Sequence, residues 1–459
     1  MNTAVNPLLV LAGFSSAVQP SRCPESTVRK ARSLLLYGLA AGITSANATA
    51  PRSVAAALRR EYGPAGGNAT CLAGGTRVSM GAAAFANAVL LHVRMQDDAH
   101  PAGHMGTVIL PAALALAEAK SSTGRDLLAA IISGYEVALR IGRDHAADLS
   151  GRGFRTTPIY GAFGAAAACA RLLELDAQRT AHALALTTHG VGGLREFADA
   201  GTDEYPFQAG FGARSGLTCA LLADEGIAGA PTALTGRAGF FHAFAGKETD
   251  YAKRLLDGLG INYELERVTY KPYPGGQFHR GVIRGFAALR EQAAGARLVS
   301  AQVLMHPFEA AFLGLDYNGP YHTYAQAFYS VPFCAALAWI HGTVTFAGLN
   351  QRDAAEVLDI VARTRVISDA GRERYKPLAR VTLDDGRVLE WADDPGEDSY
   401  TLNWETALDM THRLCAEAGV APQLATALAE AVAHVDAMQD IAPLIAAAAC
   451  IAEVAVARI

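Results

Sequence analysis

The chain has 459 residues, of which 51% are hydrophobic and 18% are charged, and its formal net charge is −5. This length predicts a large core divided between two domains. The mildly acidic balance gives no reason to expect nucleic acid or a membrane surface as a partner. The seven cysteines never show Cys-x-x-Cys spacing, which favours a reduced compartment over a disulfide framework or a zinc ribbon.

The start of the chain does not have the form of a targeting segment. Residues 7–14 are apolar, but no basic residue precedes them as it would in a signal peptide. No apolar run approaches the ~18 residues that a membrane span requires. We therefore expect a soluble, cytoplasmic protein.

Residues 1 to about 255 are rich in Ala, Leu and Gly and predict one helix after another. An apolar stripe at helical spacing runs through residues 128–139 and follows Thr123 and Asp126, a pair that has the form of a capping box. The stretches 161–175 and 210–223 are almost uncharged. Helices of this kind must be covered on all sides, so we expect them at the centre of a bundle or at the interface of a homodimer.

The pattern changes near Tyr270. Residues 298–306 alternate as a strand does, and Asp384-Asp385-Gly386 between two β-rich runs predicts a hairpin. Helical patterns alternate with these strands at 282–292, 324–338 and 352–363, and the chain becomes helical again beyond residue 400. The predicted fold is mainly α with an α+β second domain: a helical domain at 1–265 and 400–459, and an α+β domain at 266–399.

A short motif carries most of the functional information. Asp97-Asp98-Ala99-His100 is followed by His104-Met105-Gly106. This stretch resembles the acidic-then-histidine signature of the MmgE/PrpD family, cofactor-free lyases and isomerases of small polycarboxylates. The family signature typically has Asp-x-Asp-Asp-Thr and then His-Pro-Ser. Here Met95 and Ala99 stand at the first Asp and the Thr, while His104 keeps the histidine.

Four further segments resemble the family in the same order, over roughly residues 30–345. They are Phe163–Leu173, Gln208–Gly216 with Gln208 in place of a histidine, Tyr270–Pro274 as the Lys-Pro-Tyr-Pro turn, and Ala325–Phe333. The resemblance implies a helical domain with a smaller α+β lid, a homodimer, and a site on loops between the two domains.

The resemblance also implies roles for individual residues. His104 would transfer protons, because an imidazole titrates near neutrality, and Lys271 would bind a carboxylate or serve as an acid. Arg155 occupies the position of a second family histidine; it cannot act as a base but can hold a carboxylate through two hydrogen bonds. Tyr205 replaces a family lysine three residues before Gln208 and is a further catalytic candidate.

Other polar residues near these positions complete the candidate site. A further family histidine becomes Gly276, while His279 and Arg280 lie just beyond it as substrate-binding candidates. Asp98 either takes part in catalysis or braces its loop.

A metal site is not expected from this motif. His100 is another substrate-binding candidate, and its spacing from His104 would suit a metal, but Pro101 and Gly103 prevent a helical ligand pair. Gly190–Gly193 lacks the spacing of a dinucleotide loop. We expect no cofactor and a small molecule as the only non-protein partner.

Three functions remain open. The first is a cofactor-independent lyase or isomerase that acts by acid–base chemistry on a carboxylate- or carbonyl-bearing small molecule, other than standard 2-methylcitrate dehydration. The second is a cyclase or isomerase of a specialised pathway, favoured by the apolar or small residues Met95, Ala99, Tyr205 and Gly276. The third is a non-catalytic binding protein that keeps the fold.

Overall fold

The computed structural model describes residues 6–62, 66–248, 250–396 and 399–457, and most of them are helical. The helices are α1 (Pro7–Ala17), α2 (Glu25–Ile43), α3 (Thr49–Tyr62), α4 (Met80–His92), α5 (Gly106–Ala119), α6 (Gly124–Gly142), α7 (Ala146–Gly151), α8 (Thr156–Leu172), α9 (Ala177–Thr187), α10 (Glu196–Ala200), α11 (Tyr205–Asp224), α12 (Phe240–Ala245), α13 (Ala252–Leu255), α14 (His279–Ala293), α15 (Pro307–Ala310), α16 (Tyr324–Tyr329), α17 (Val331–His341), α18 (Ala355–Arg363), α19 (Trp404–Glu417), α20 (Pro422–Ala433) and α21 (Ala442–Val456). The strands are β1 (Ala69–Cys71), β2 (Thr76–Val78), β3 (Asp98–Ala99), β4 (Thr269–Tyr270), β5 (Leu298–Met305), β6 (Thr364–Ser368), β7 (Leu378–Leu383) and β8 (Val388–Ala392).

The centre of the helical bundle is α8, which packs against α5, α6 and α11. Glycines let α6 and α8 approach closely: a Cβ on Gly134 would lie 2.7 Å from the carbonyl oxygen of Gly164, a distance that no side chain tolerates. The helix is buried along nearly its whole length. The prediction of a fully covered helix over 161–175 is therefore confirmed for 161–170, whereas Arg171 and Leu173 are partly exposed and Glu174 is exposed.

The second helix predicted to be covered, either at the centre of a bundle or at a dimer interface, is α11, and the chain itself covers only part of it. One face of α11 packs on α4 and α8, but Phe211 and Leu222 on the other face are 63% and 42% exposed. Because Arg214 and Asp224 are the only charged residues of this helix, its charge pattern could not reveal which side of it the chain itself covers.

The α+β part is built on a four-stranded sheet with the order β6-β5-β7-β8. β5 and β6 are parallel, and the other neighbours are antiparallel. Alternate residues of β7 are buried, as expected for a sheet with one face against helices. The predicted strand at 298–306 and the predicted hairpin are confirmed, as is the fold class of a mainly α protein with a smaller α+β part.

Two details depart from the sequence prediction. The helix predicted at 324–338 is two helices, because Ser330 ends α16 and caps α17 by accepting a hydrogen bond from the Phe333 amide. The helical region is not all helix, since β1 and β2 pair as a short antiparallel hairpin within it. Among the described residues, no helix is long and apolar enough to cross a membrane.

The buried apolar residues form two clusters. One is built from helical segments between Leu8 and Val268 and between Leu402 and Ala455. The other is built mainly from residues 282–383 and includes Met95 and Tyr205 from the helical side. Motif residues therefore lie where the two clusters meet.

Candidate active site

The two motif loops are joined by a short strand pair. Antiparallel β3 and β4 place Asp98 opposite Tyr270 and Ala99 opposite Thr269. The hydroxyl of Tyr37, on α2, donates to the carbonyl oxygens of Gln96 at 2.9 Å and Lys271 at 2.8 Å. These hydrogen bonds fix both loops against the bundle, so residues 97 and 271 come together despite their separation in the chain.

Asp97 and Lys271 form an ion pair inside the protein. The Lys271 Nζ donates to Asp97 Oδ2 at 3.1 Å, and each side chain is 1% exposed. Burial lowers the pKa of Lys271, while the pKa of Asp97 is held well below its usual range by the lysine and by His92, despite burial. The other carboxylate oxygen, Oδ1, lies 3.2 Å from His92 Nδ1. The motif predicts Lys271 as a site residue, whereas Asp97 was not among the predicted site residues.

His92 ends α4 and was missed at the sequence level. Its Nδ1 faces Asp97 and its Nε2 accepts from the guanidinium of Arg155, an arrangement that only the neutral Nδ1–H tautomer satisfies. Burial lowers the pKa of His92 to about 4. The available signal was a single polar residue at the end of a helix that is otherwise almost entirely apolar.

Arg155 precedes α8 and is a buried cation with only neutral partners. It donates to the Tyr205 carbonyl oxygen at 2.6 Å and contacts His92, and its guanidinium carbon lies 5.0 Å above the Phe197 ring. Burial lowers the pKa of its side chain. Among the residues that the structure describes, no carboxylate oxygen lies within 4 Å of it, so its charge lacks a direct counter-ion.

His104 lies beside this cluster, with its ring centre 5.9 Å from that of His92. Its Nδ1 is 2.7 Å from the carbonyl oxygen of Asp98, so Nδ1 carries the proton. In the described part of the chain Nε2 has no hydrogen-bond partner. Burial and the charge of Lys271 hold the pKa of His104 well below its ordinary value of 6.5. The imidazole is therefore neutral and exposes a free lone pair, and a base needs both properties.

The Tyr205 side chain forms a wall of the site. Its ring edge lies against His92, with the centroids 5.5 Å apart, but its hydroxyl donates to the carbonyl oxygen of Val93 at 2.6 Å. Burial raises the pKa of this hydroxyl well above 10. Tyr205 therefore shapes the cluster while its hydroxyl points to the backbone.

Asp98 and His100 face away from the cluster. Both carboxylate oxygens of Asp98 accept from the Gly106 amide at 3.1 Å, and the Tyr135 hydroxyl donates to it at 3.0 Å. Burial raises the pKa of Asp98 to about 7. His100 accepts from the Ala102 amide through Nδ1 at 3.1 Å. These contacts brace the loop.

The three remaining candidates lie at the edge of the cluster. Gln208 lies 3.5 Å from an Arg155 nitrogen and donates to the Leu194 carbonyl oxygen at 3.0 Å. His279 Nε2 is 2.8 Å from the carbonyl oxygen of Tyr329. Arg280 stacks on the Tyr400 ring, 4.3 Å from its centre. The structure thus brings together His104, Lys271, Arg155 and the ring of Tyr205, with Gln208 adjacent.

The cluster is tightly enclosed. A void of only about 10 Å³ touches Asp97 and Asp98, whereas a cavity of about 730 Å³ lies against Tyr205, Tyr324 and Phe346. His104 is the one partly exposed residue among His92, Asp97, His104 and Lys271. In the described part of the chain, no three or more His, Cys, Asp or Glu side chains are grouped to hold a metal ion.

Comparisons with known proteins identify the family. The MmgE/PrpD N-terminal domain matches residues 10–252, more than half of the chain, so this chain belongs to the MmgE/PrpD family. The resemblance seen in the motifs is confirmed.

Three relatives show how far the similarity extends. A cis-aconitate decarboxylase-like protein of Aspergillus oryzae is 32% identical over 229 residues, 48% of this chain and 47% of that protein. Human cis-aconitate decarboxylase is 31% identical over 47% of this chain and 45% of its own length. The mitochondrial 2-methylcitrate dehydratase of Yarrowia lipolytica is 24% identical over 63% and 59%. The chain spans about half the length of the first curated relatives it matches.

Proposed function

We propose that the protein is a lyase or isomerase that acts by acid–base chemistry on a carboxylate-bearing small molecule. One observation carries the proposal: Arg155 is buried, has no carboxylate within 4 Å among the described residues, and contacts His92, whose ring centre lies 5.9 Å from that of the neutral His104. A buried charge without a counter-ion is unfavourable. A substrate carboxylate would supply the missing negative charge.

The charge of the cluster supports an anionic ligand. Lys271 and Asp97 neutralise one another, and His92 and His104 are neutral. With Arg155 included, these five side chains therefore carry a net charge of +1. In an enclosed site this charge attracts an anion far more strongly than it would in water.

The neutral His104 favours proton removal as the first step. Its Nε2 would take a proton from a carbon next to the bound carboxylate, and the electron pair of the broken C–H bond would pass toward the carboxylate. Arg155 and Lys271 would stabilise that charge. Return of the proton to another position completes an isomerisation, whereas loss of a leaving group from the neighbouring carbon completes an elimination.

The neutral state of His104 also weighs against decarboxylation as the first step. Cleavage of a carbon–CO2 bond leaves an electron pair on carbon that must receive a proton. A neutral His104 has none to give from Nε2 until it has gained one. Among the relatives named as decarboxylases and as a dehydratase, the neutral His104 therefore favours a reaction of the dehydratase kind for this chain.

Ligand access is part of the proposal. Lys271 and His92 are fully buried, and His104 is partly exposed. A substrate would reach Arg155 by passing His104. The two apolar clusters would have to separate slightly near the β3–β4 pair to let it in. If the polar cluster had only a structural role, the two apolar clusters would not need to separate.

Turnover and binding measurements on one panel test the proposal. The wild type, Arg155→Gln, His104→Gln and the exposed control Arg29→Gln would be incubated with dicarboxylates and tricarboxylates, including cis-aconitate and 2-methylcitrate, with products followed by NMR. We expect Arg155→Gln to raise KM by about 10- to 100-fold, because it removes charge-assisted hydrogen bonds. We expect His104→Gln to lower kcat by ~10²–10⁴-fold.

Two results would overturn the proposal. Calorimetry that shows Arg155-dependent binding of carboxylates without turnover would identify a non-catalytic binding protein. Turnover that is insensitive to both substitutions would place the chemistry at another site.

A further inference from the structure

A chain of aromatic rings leads outward from Arg155. The guanidinium lies over Phe197, the ring of Phe197 lies 6.0 Å from that of Tyr329, and Tyr329 lies 5.8 Å from Phe312. Phe197, on α10, belongs to the apolar cluster of the α+β part, and Tyr329, on α16, packs against that cluster. A series of ring contacts therefore leads from Arg155 to an aromatic surface.

The outer end of this chain is a group of four rings that we call the aromatic vestibule: Phe278, Phe308, Phe312 and Tyr375. Phe278 is its centre, with ring centroids 4.9 Å from Phe312, 5.7 Å from Tyr375 and 6.5 Å from Phe308. Phe308 and Tyr375 are 52% and 40% exposed. Single exposed apolar residues are ordinary, but a contiguous exposed group beside a polar site indicates a ligand surface.

Two arginines lie on the faces of these rings. Arg195 is 4.5 Å above the centre of Phe312, and Arg374 is 4.0 Å above that of Phe308. For the ranges that the structure describes, no carboxylate oxygen lies within 4 Å of either guanidinium. Guanidinium groups stack on aromatic faces and keep their charge, so the vestibule combines flat apolar surface with positive charge.

This combination selects one chemical class of ligand group. An aliphatic group would gain contact area but no interaction with the guanidinium groups. An aromatic ring gains both, because its negative face suits Arg195 and Arg374 and its edge suits the faces of Phe278 and Phe312.

Resting on the proposed function, we propose that the vestibule binds an aryl group of the substrate, whose carboxylate is held at Arg155. The substrate is then a carboxylic acid with an aromatic substituent near the reacting carbon. A small tricarboxylate would leave the vestibule empty.

Calorimetric binding of three acids tests this: succinate, benzylsuccinate and cyclohexylmethylsuccinate. The two substituted acids have similar bulk and differ in aromaticity. The proteins would be the wild type, Phe308→Ala/Phe312→Ala, Arg155→Gln, and Val388→Ala as a control with an exposed apolar residue, 56% exposed, on β8 of the same sheet-bearing part. Light scattering on each variant would show whether the substitutions change the oligomeric state.

We expect benzylsuccinate to bind the wild type and Val388→Ala about tenfold more tightly than succinate or the cyclohexyl acid, from aromatic contacts. The double variant should lose this preference, and Arg155→Gln should weaken all three acids. Equal binding of the benzyl and cyclohexyl acids would overturn the aromatic assignment. Equal, Arg155-dependent binding of succinate and benzylsuccinate would overturn the vestibule while leaving the proposed function intact.

Two further outcomes would overturn the proposed function or the role of the vestibule. Binding of all three acids that ignores Arg155 would remove the proposed function itself. Dissociation of a dimer by the double variant, with no effect on acid binding, would assign the vestibule to a second copy of the chain and overturn the proposal.

Discussion

Lys271 and Asp97 form an ion pair of 3.1 Å between two side chains that are each 1% exposed. The lysine comes from the loop after β4 and the aspartate from the loop before β3, so the pair joins the two segments on which the site is built. Because the pair also lies beside His92 and His104, a change in its charge would alter both the stability of the fold and the charge of the candidate site.

Removal of Lys271 alone should destabilise the protein strongly. Lys271→Met leaves the Asp97 carboxylate buried without its cation, which typically costs about 3–5 kcal/mol. The double variant Lys271→Met/Asp97→Asn should recover much of that loss, because no unpaired charge remains. Urea unfolding measures both. Lys247→Met removes an exposed partner of Asp148 and should cost at most ~1 kcal/mol; equal losses for Lys271→Met and this control would refute the assignment.

Acid should destabilise the fold through buried neutral histidines. His92 and His100 have folded-state pKa values of about 4, against about 6.5 in an unfolded chain. Their contribution is therefore present above pH 6.5 and is lost as the pH falls from about 6.5 to about 4. The free energy of unfolding should decline over this window, and His100→Gln should decline less steeply than the wild type. The exposed control His189→Gln should follow the wild type; identical slopes for all three proteins would contradict the prediction.

Asp98 should have the opposite effect on the pH dependence of stability. Burial raises its pKa to about 7 from an ordinary value near 3.8, so its contribution is full below about pH 4 and is lost as the pH rises to about 7. The neutral variant Asp98→Asn can still accept the hydrogen bond from Gly106. Relative to the wild type, its melting temperature should rise between pH 4 and pH 8. A difference that stays constant with pH would show that Asp98 does not titrate in this range.

The exposed face of α11 supports the expectation of a homodimer. Phe211 packs edge-on against Phe85 with ring centroids 5.1 Å apart, yet it is 63% exposed. We predict that a second copy covers this face, because apolar helix surfaces of this kind are covered in oligomers. Light scattering should give twice the chain mass of 48.0 kDa, and Phe211→Glu should shift it toward the monomer. A wild-type monomer at micromolar concentration would refute the prediction.

Much of the fold follows from local patterns in the sequence. Strand alternation in 298–305 and the Asp-Asp-Gly turn predicted elements of the sheet, because those signals depend on neighbouring residues alone. The break at Ser330 was missed because a helical apolar pattern continues across it. The apolar pattern of α11 could not decide between the centre of the bundle and a dimer interface, because the exposure of Phe211 depends on which surface other helices cover.

The candidate site was predictable only in part. His104 and Lys271 carry motif signals, but Asp97 and Asp98 are adjacent, and adjacent side chains in extended backbone point in opposite directions. Sequence could not decide that Asp97 faces the cluster and that Asp98 braces α5. His92 comes from the end of another helix, and only tertiary packing brings it between Asp97 and Arg155.

Hydrogen–deuterium exchange at carbon tests the central claim most directly, namely that the free Nε2 of His104 removes a proton next to a carboxylate held at Arg155. Dicarboxylates and tricarboxylates, with and without an aryl group, would be incubated in heavy water and followed by proton NMR. We expect the wild type and His189→Gln to exchange one C–H position of a bound acid, and His104→Gln to exchange it ~10²–10⁴-fold more slowly. Exchange at the wild-type rate by His104→Gln would contradict the assignment of His104 as the base.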